Sequence, residues 1–395
     1  MRMLLTNALV IDGLGGALKD HAVLVDGANI AAVAPAAQFD GFSEQVIDLR
    51  GTSLLPGLID CHVHLCYGAE GNPGRAVEDL QPGQITVRAL ANALESLAGG
   101  ITTVRDCGGI NYLEFAVRDA CNAGQFLGPT IHAAGRMICM TGGHGNRFGR
   151  IADGTDEVVK AVREQVHAGS DLIKIMATGG VMTPGVNPED AHYSAKEMAV
   201  GIAEGHRFHK ACASHAQGTD GILNAVRGGI DSIEHGIFMN DECVEEMVKR
   251  GTYLVPTFAA LVNILEGGDK VPEYIIDKTQ RVAEAHKQSI RMYYAAGGKI
   301  AMGTDAGTPF NMHGRNAEEL RFMVAHGVTP MDAIIAATSN AANLMQLNDH
   351  GRIIEGARAD LLIVNGNPLG DIEMIANRVN HQCVIKAGVV ANGAL

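Results

Sequence analysis

The chain has 395 residues, 47% of them hydrophobic and 19% charged, so it is long enough to bury a large core and too apolar to be disordered. A net charge of -13, no block of Lys or Arg, 4% aromatics and no Trp argue against a nucleic-acid surface, which needs a basic face and rings for stacking. No run of ~18 apolar residues marks a membrane span. The opening run MRMLLTNALVIDG is too short for a signal peptide, and eight scattered Cys without a CxxC pair read as reduced, buried thiols; a cytoplasmic protein is expected.

In chain order, LLTNALVIDG and HAVLVDGANIAAVAP alternate short β-rich runs with Asp-Gly and Pro punctuation, the pattern of antiparallel strands and hairpins. A long alternation of apolar strands and helical patterns follows. The strand candidates are LLPGLIDCHVH, ITTVRDCG, TIHAAGRMI, LIKIMATGG, ACASHAQG, SIEHG, TYLVPTF and IAMGTDAG. Helical patterns such as GQITVRALANALESLAGG and SAKEMAVGIAEGHRFHKA lie between them. Eight strand–helix units are the number that a (β/α)8 TIM barrel requires. The last segment, ADLLIVNGNP and NHQCVIKAGVVANG, returns to the hairpin character of the first. The expected architecture is α/β: a small β-sandwich domain made from residues 1–55 and 349–395, with a barrel over 56–348 inserted in it.

The polar residues fall where such barrels keep their active sites, at the C-terminal ends of the strands. The first strand ends in His62-Val63-His64, and residues two apart in a strand point the same way. Lys174 lies in the fourth strand, His215 and His235 end the fifth and sixth, and Asp305 ends the eighth. Any one of these has an ordinary reading: a packed His, a snorkelling Lys, a capping Asp. Five strand ends supplying ligand-type side chains are hard to explain as packing.

This pattern resembles the amidohydrolase superfamily, and so do the flanking runs GLIDCHVHL, GTDAG and ADLLIVNGNP. The resemblance covers nearly the whole chain. It implies a Lys174 carboxylated by CO2 and bridging two divalent metals, most often Zn2+, with His62, His64 and Asp305 on one metal and His215 and His235 on the other. Imidazole and carboxylate suit Zn2+, and a carbamate replaces a repelled ammonium with an anion. A bridging hydroxide would attack the substrate carbonyl, with Asp305 as general base and acid.

The runs TGGHGN, KIMATGGVMTPG and SIEHG, and the stretch Asn316-Ala317-Glu318-Glu319-Leu320, narrow the resemblance to a branch of Xaa-Pro and Xaa-Arg/Lys dipeptidases related to imidazolonepropionases. That implies cleavage of an amide or peptide bond in a dipeptide or N-acyl amino acid. The alternatives are a non-peptide amide, carbamate or lactam, or an imidazolonepropionase-like or deaminase activity. His215-Ala216-Gln217-Gly218 lacks the Glu usual in mononuclear deaminases, and Gln217 replaces a His frequent in the branch. The expected substrate-binding residues are His144, a donor to the carbonyl oxygen in a glycine-rich loop, and Tyr193, Arg147 and Arg315 as donors to a substrate carboxylate. Arg105 is expected to satisfy buried acids beneath the site. Cys61 is expected to pack away from it, and Cys66 and Cys107 have no base beside them. The partner expected is a small-molecule substrate, with no nucleic acid or membrane, and the chain is expected to form a homo-oligomer.

Overall fold

The computed structural model describes residues 2–395 as an α/β protein with mixed sheets. Both chain ends build two sheets. One has the order Asn29–Pro35, His21–Asp26, Arg2–Thr6, Gln45–Asp48; the other runs Val389–Gly393, His381–Lys386, Leu361–Asn365, Thr52–Pro56, Leu9–Ile11, Ala17–Leu18. Alternation puts Met3, Leu5, Val23 and Val25 of the first sheet against Val10, Leu54, Leu361 and Ile363 of the second, in one buried apolar cluster. The expectation of antiparallel pairing needs correction in two places. Arg2–Thr6 pairs in parallel with Gln45–Asp48, and Leu9–Ile11 with Thr52–Pro56. Each pair is joined by a long excursion that a local hairpin signal does not reveal.

Between these ends the described residues form nine strands that pair in parallel: the two-residue strands Ile138–Cys139 and Arg150–Ile151, and β1 (Leu58–Val63), β2 (Ile101–Asp106), β3 (Thr130–Ala133), β4 (Leu172–Met176), β5 (Ala211–Ala216), β6 (Ser232–His235) and β7 (Tyr253–Val255). Helices alternate with them, among them Pro82–Ala98, Leu113–Asn122, Gly154–Ala168, Ala195–Arg207, Thr219–Gly228, Asp241–Arg250 and Glu273–Ala295. The helices start where the sequence supplies caps. Ser194 accepts from Glu197 N while Glu197 bonds back to Ser194 N, and Asn240 accepts from Cys243 N.

The strands form two parallel arcs, β3–β2–β1 and a second that includes β4–β5–β6–β7. Asp171 N donates to Ala133 O between β3 and the start of β4. The eighth strand candidate differs from expectation: residues 300–306 form no regular strand, and isolated parallel bridges, Leu254↔Ile300 and Val63↔Ala306, with scattered backbone hydrogen bonds tie them to β7 and β1. The regular ladder fails because Thr304 N and Asp305 N both point at His62 O, and Asp305 takes a left-handed φ of 62°. Among the described residues, no helix is long and apolar enough to cross a membrane.

Candidate metal centre and active site

Register brings the strand ends together. Met176 of β4 stands opposite His215 of β5, and Ala216 opposite His235 of β6. His62, His64, Lys174, His215, His235 and Asp305 all line one cavity of about 460 Å³ at this end of the strands. Ring centroids of His62 and His64 lie 5.3 Å apart, those of His62 and His235 5.2 Å, and those of His215 and His235 4.6 Å. Ligand atoms of His62, His235 and Asp305 lie within 4.8 Å of one another. Asp305 Oδ1 is 3.1 Å from His64 Nε2 and 3.4 Å from His62 Nε2.

Each imidazole is oriented by a bond at its other nitrogen. His62 Nδ1 donates to Glu234 Oε2 (2.7 Å), His64 Nδ1 to Gly108 O (2.8 Å) and His215 Nε2 to Gly179 O (2.8 Å). Thr257 Oγ1 donates to Pro256 O, so it accepts from His235 Nδ1 at 2.7 Å. These bonds leave the Nε2 of His62 and His235, and the Nδ1 of His215, as bare lone pairs, the form a metal ligand needs. His64 Nε2 instead faces Asp305 Oδ1, and although burial disfavours its charged form, that carboxylate raises the His64 pKa above the ordinary imidazole value. Burial is the main cause that pushes the His62 and His215 rings far below the ordinary imidazole pKa and the His235 ring down to about 4, so all three stay neutral at pH 7. Burial alone would raise Asp305, but His62, the His64 hydrogen bond and His235 outweigh it and hold the carboxylate ionised. His235 and Asp305 both have positive φ, 73° and 62°, conformations that cost non-glycine residues energy and cluster at functional sites.

Lys174 is 2% exposed, and its Nζ has no hydrogen-bond partner. A buried, unpaired ammonium among four imidazoles is electrostatically unfavourable. Three imidazoles with free nitrogens, a fourth whose inner nitrogen meets the ionised Asp305 carboxylate, and an orphaned lysine nitrogen fit a divalent-metal site, with an anionic lysine derivative completing it.

Sequence reasoning missed most of the supporting residues. Glu234 is wholly buried, bonded to His62, to Arg105 Nη2 (2.8 Å) and to Ser232 Oγ. Arg105 thus pairs with a buried acid beneath the site, as expected. Asp60 accepts from His62 N, Thr304 N, Thr304 Oγ1 and Asn316 Nδ2, stapling β1 to residues 304–316; burial still pushes its pKa up to about 6. A charged residue inside an apolar strand run, as in LIDCHV and SIEH, was the available signal.

The substrate-binding expectations divide. His144 lines the cavity, its ring 4.4 Å from that of His215, with Nδ1 2.8 Å from Thr183 Oγ1. Burial, with His235 and His192 nearby, pushes its pKa down to about 3. Its ring lies flat on Gly180, where an added Cβ would meet Nε2 at 2.7 Å. Arg147 also lines the cavity, half-exposed and 3.1 Å from Glu78 Oε1. Tyr193 does not reach it: the side chain is 2% exposed in the main core, and its hydroxyl donates to Ala152 O at 2.8 Å. Arg315 does not either. Glu318, one helical turn away, takes both ends of its guanidinium at 2.8 and 2.9 Å, and it borders a separate depression beside Arg378. Gln217 faces the cavity with its Oε1 unpartnered. All eight cysteines are free and buried; Cys107 borders the cavity, and Cys61 packs behind the strands with Ala301 and Ala341.

A sequence profile of the amidohydrolase family matches residues 53–391. The chain belongs to the amidohydrolase family. Ochratoxinase of Aspergillus niger is 30% identical over 422 residues, spanning 98% of this chain and 85% of that protein. A solved Xaa-Pro dipeptidase with methionine bound in its active site superposes with a TM-score of 0.91, at 32% identity over 99% of each chain. A solved prolidase complexed with N-methylphosphonate-L-proline gives 0.90, at 29% identity over 99% of each chain. The chain is therefore a hydrolytic enzyme of amide-bond chemistry, in a family whose members typically bind metal ions.

The Glu234 contacts yield a direct test. Glu234→Gln removes the charge that faces His62 Nδ1 and Arg105 while keeping the shape. Loss of such a supporting partner typically costs 10–100-fold in metal affinity, so Zn2+ should bind ~10- to 100-fold more weakly in chelator competition. Unchanged affinity would show that Glu234 does not orient the ligand.

Proposed function

We propose that the chain is a binuclear metal-dependent amidohydrolase that cleaves the amide bond of a dipeptide or N-acyl amino acid with an apolar residue. The observation that carries this reading is the orphaned Lys174 Nζ, buried among imidazoles whose free nitrogens meet at Asp305. The two parallel arcs, joined through residues 300–306, are read as one closed (β/α)8 barrel that brings these strand ends to one mouth.

Two divalent metals, most simply Zn2+, would be held by His62, His64 and Asp305 and by His215 and His235, shared through a carbamate on Lys174. When bound, they supply Lewis-acid activation of the attacking water and the scissile carbonyl. Asp305 accepts a proton from that water and delivers it to the leaving nitrogen as the C–N bond breaks, giving a carboxylate and an amine. His144, with Nδ1 engaged by Thr183, presents Nε2 as a donor to the carbonyl oxygen as negative charge develops there.

The rest of the cavity defines the substrate. Val181, Met182, Leu261, Ile264 and Tyr274 make one wall apolar, and Asp305 is the only acid among the lining residues. A basic side chain would find no counter-charge here, whereas an apolar one buries its surface. The ligands of the two solved relatives, methionine and N-methylphosphonate-L-proline, are apolar amino-acid groups that carry a carboxylate. With Tyr193 and Arg315 elsewhere, Arg147 is the cavity cation left to meet that carboxylate, in competition with Glu78.

Three results are expected. Lys174→Ala should retain at most one tightly held metal, because the shared anion is gone; metal analysis finding two would refute the carbamate bridge. Asp305→Asn keeps the shape but cannot take a proton, so turnover should fall ~100-fold or more, and near-normal turnover would require a different base. A panel of N-acetyl amino acids and Xaa-Pro dipeptides, each with its C-terminal amide, tests the substrate. A charge-assisted bond of ~1.5 kcal/mol is worth about tenfold, so amidation should lower kcat/KM by about 10-fold. Equal efficiency on both members would shift the reading to neutral amides, carbamates or lactams.

A further inference from the structure

The loop after β4 does more than border the cavity. Gly179 O fixes His215, Gly180 gives the His144 ring its resting place, and Thr183 Oγ1 bonds His144 Nδ1. The sequence VMTPGVNPED carries little that would hold such a loop still: two prolines, a glycine and no helical or strand pattern. It has no regular secondary structure. Its order must come from elsewhere.

It comes from one face of the helix Glu273–Ala295. Tyr274, Lys278 and Arg281 stand at i, i+4 and i+7, so they project from one side of it. The Tyr274 hydroxyl donates to Met182 O at 3.1 Å. Lys278 Nζ donates to Thr183 O at 2.7 Å and to Val186 O at 2.6 Å. Arg281 Nη2 donates to Glu189 Oε2 at 3.0 Å. The middle contact grips the residue whose side chain orients His144, and an ammonium bonded to two carbonyls makes stronger hydrogen bonds than a neutral donor.

We propose that Lys278 is a positioning residue: by clasping the carbonyls of Thr183 and Val186 it holds the Thr183 hydroxyl as donor to His144 Nδ1, which keeps the imidazole proton on Nε2, toward the substrate. The inference rests on the reading of His144 as a carbonyl-oxygen donor only for its kinetic consequence. Neither Lys278 nor Thr183 touches the metal ligands' free nitrogens, so metal content is not expected to change in the variants.

The test uses full-length, zinc-loaded protein labelled with 15N-histidine. The His144 resonances are identified by their disappearance in His144→Ala. Wild type should show one neutral tautomer, protonated at Nε2. Lys278→Met and Thr183→Val should both show a tautomer mixture, while Lys278→Arg and Thr183→Ser retain the wild-type signal. Circular dichroism and metal analysis establish that each variant is folded and loaded. In kinetics on whichever panel substrate is hydrolysed, Lys278→Met should lower kcat ~10-fold with KM little changed, since small misplacements of a reacting group carry costs of this order or more. On a His144→Ala background the same substitution should cost nothing further, the signature of two residues acting through one group. A wild-type His144 signal in Lys278→Met, or the same loss of kcat with and without His144, would overturn the proposal. Should His144→Ala alone leave kcat unchanged, the oxygen-donor role in the proposed function fails, while the tautomer measurement still decides the clasp.

Discussion

The carboxylate of Glu234 meets two demands at the centre of the molecule. Arg105 from β2 and His62 from β1 both need a buried partner, and Glu234 from β6 serves both, one oxygen to each. The neighbouring strands β1 and β2 are thereby tied to the distant β6 through the space between them. A buried ion pair of this kind, here Arg105 and Glu234 with the neutral His62 ring hydrogen-bonded to the acid, stabilises little by itself, because desolvation offsets much of the attraction. What it secures is geometry: Arg105 cannot swing away without stranding an acid, and His62 cannot turn its Nε2 from the cavity without losing its Nδ1 partner. Asp60 repeats the device at the other edge of β1, tying it to residues 304–316.

From there the cavity is arranged by exclusion. Each imidazole has one nitrogen committed to the surrounding protein, so the nitrogens that remain face one another and Asp305. Two of the elements that supply them sit in strained backbone, at His235 and Asp305. Such strain persists only where neighbouring contacts over-determine the conformation. Here Thr257 and the paired amides of Thr304 and Asp305 on His62 O do so. The irregular pairing of residues 300–306 belongs to the same account: a regular ladder would turn the Asp305 side chain out of register with the histidines.

A division of labour follows. The inner strands carry the histidines and Lys174 that face the cavity. The loops after β3 and β4, which carry His144, Arg147 and Thr183, border the cavity, and the second is bonded to the helix Glu273–Ala295. The apolar wall from Leu261, Ile264 and Tyr274 comes from the same helical region that holds the loop after β4. The apolar wall and the Thr183 contact to His144 thus share one support.

Much of this was legible in the sequence. Short apolar runs alternating with helical patterns located seven of the eight inner segments as strands, and strand polarity alone put His62, His64, Lys174, His215, His235 and Asp305 at one end. Those are local properties, written in consecutive residues. The spacing of Tyr193 and Arg315 in loops near the site was equally visible, yet it misled, because a loop residue's direction depends on what it packs against. Tyr193 found a carbonyl in the core and Arg315 an acid on its own turn. The parallel pairings of the terminal sheets, the role of Glu234 as shared counter-ion, and the grip of Lys278 on Thr183 join residues from 42 to 172 positions apart. Sequence determined which side chains could do the chemistry. Tertiary structure decided which nitrogens face inward and which loop residues line the cavity, because hydrogen-bond partners of buried groups are chosen by the whole fold and not by neighbours in the chain.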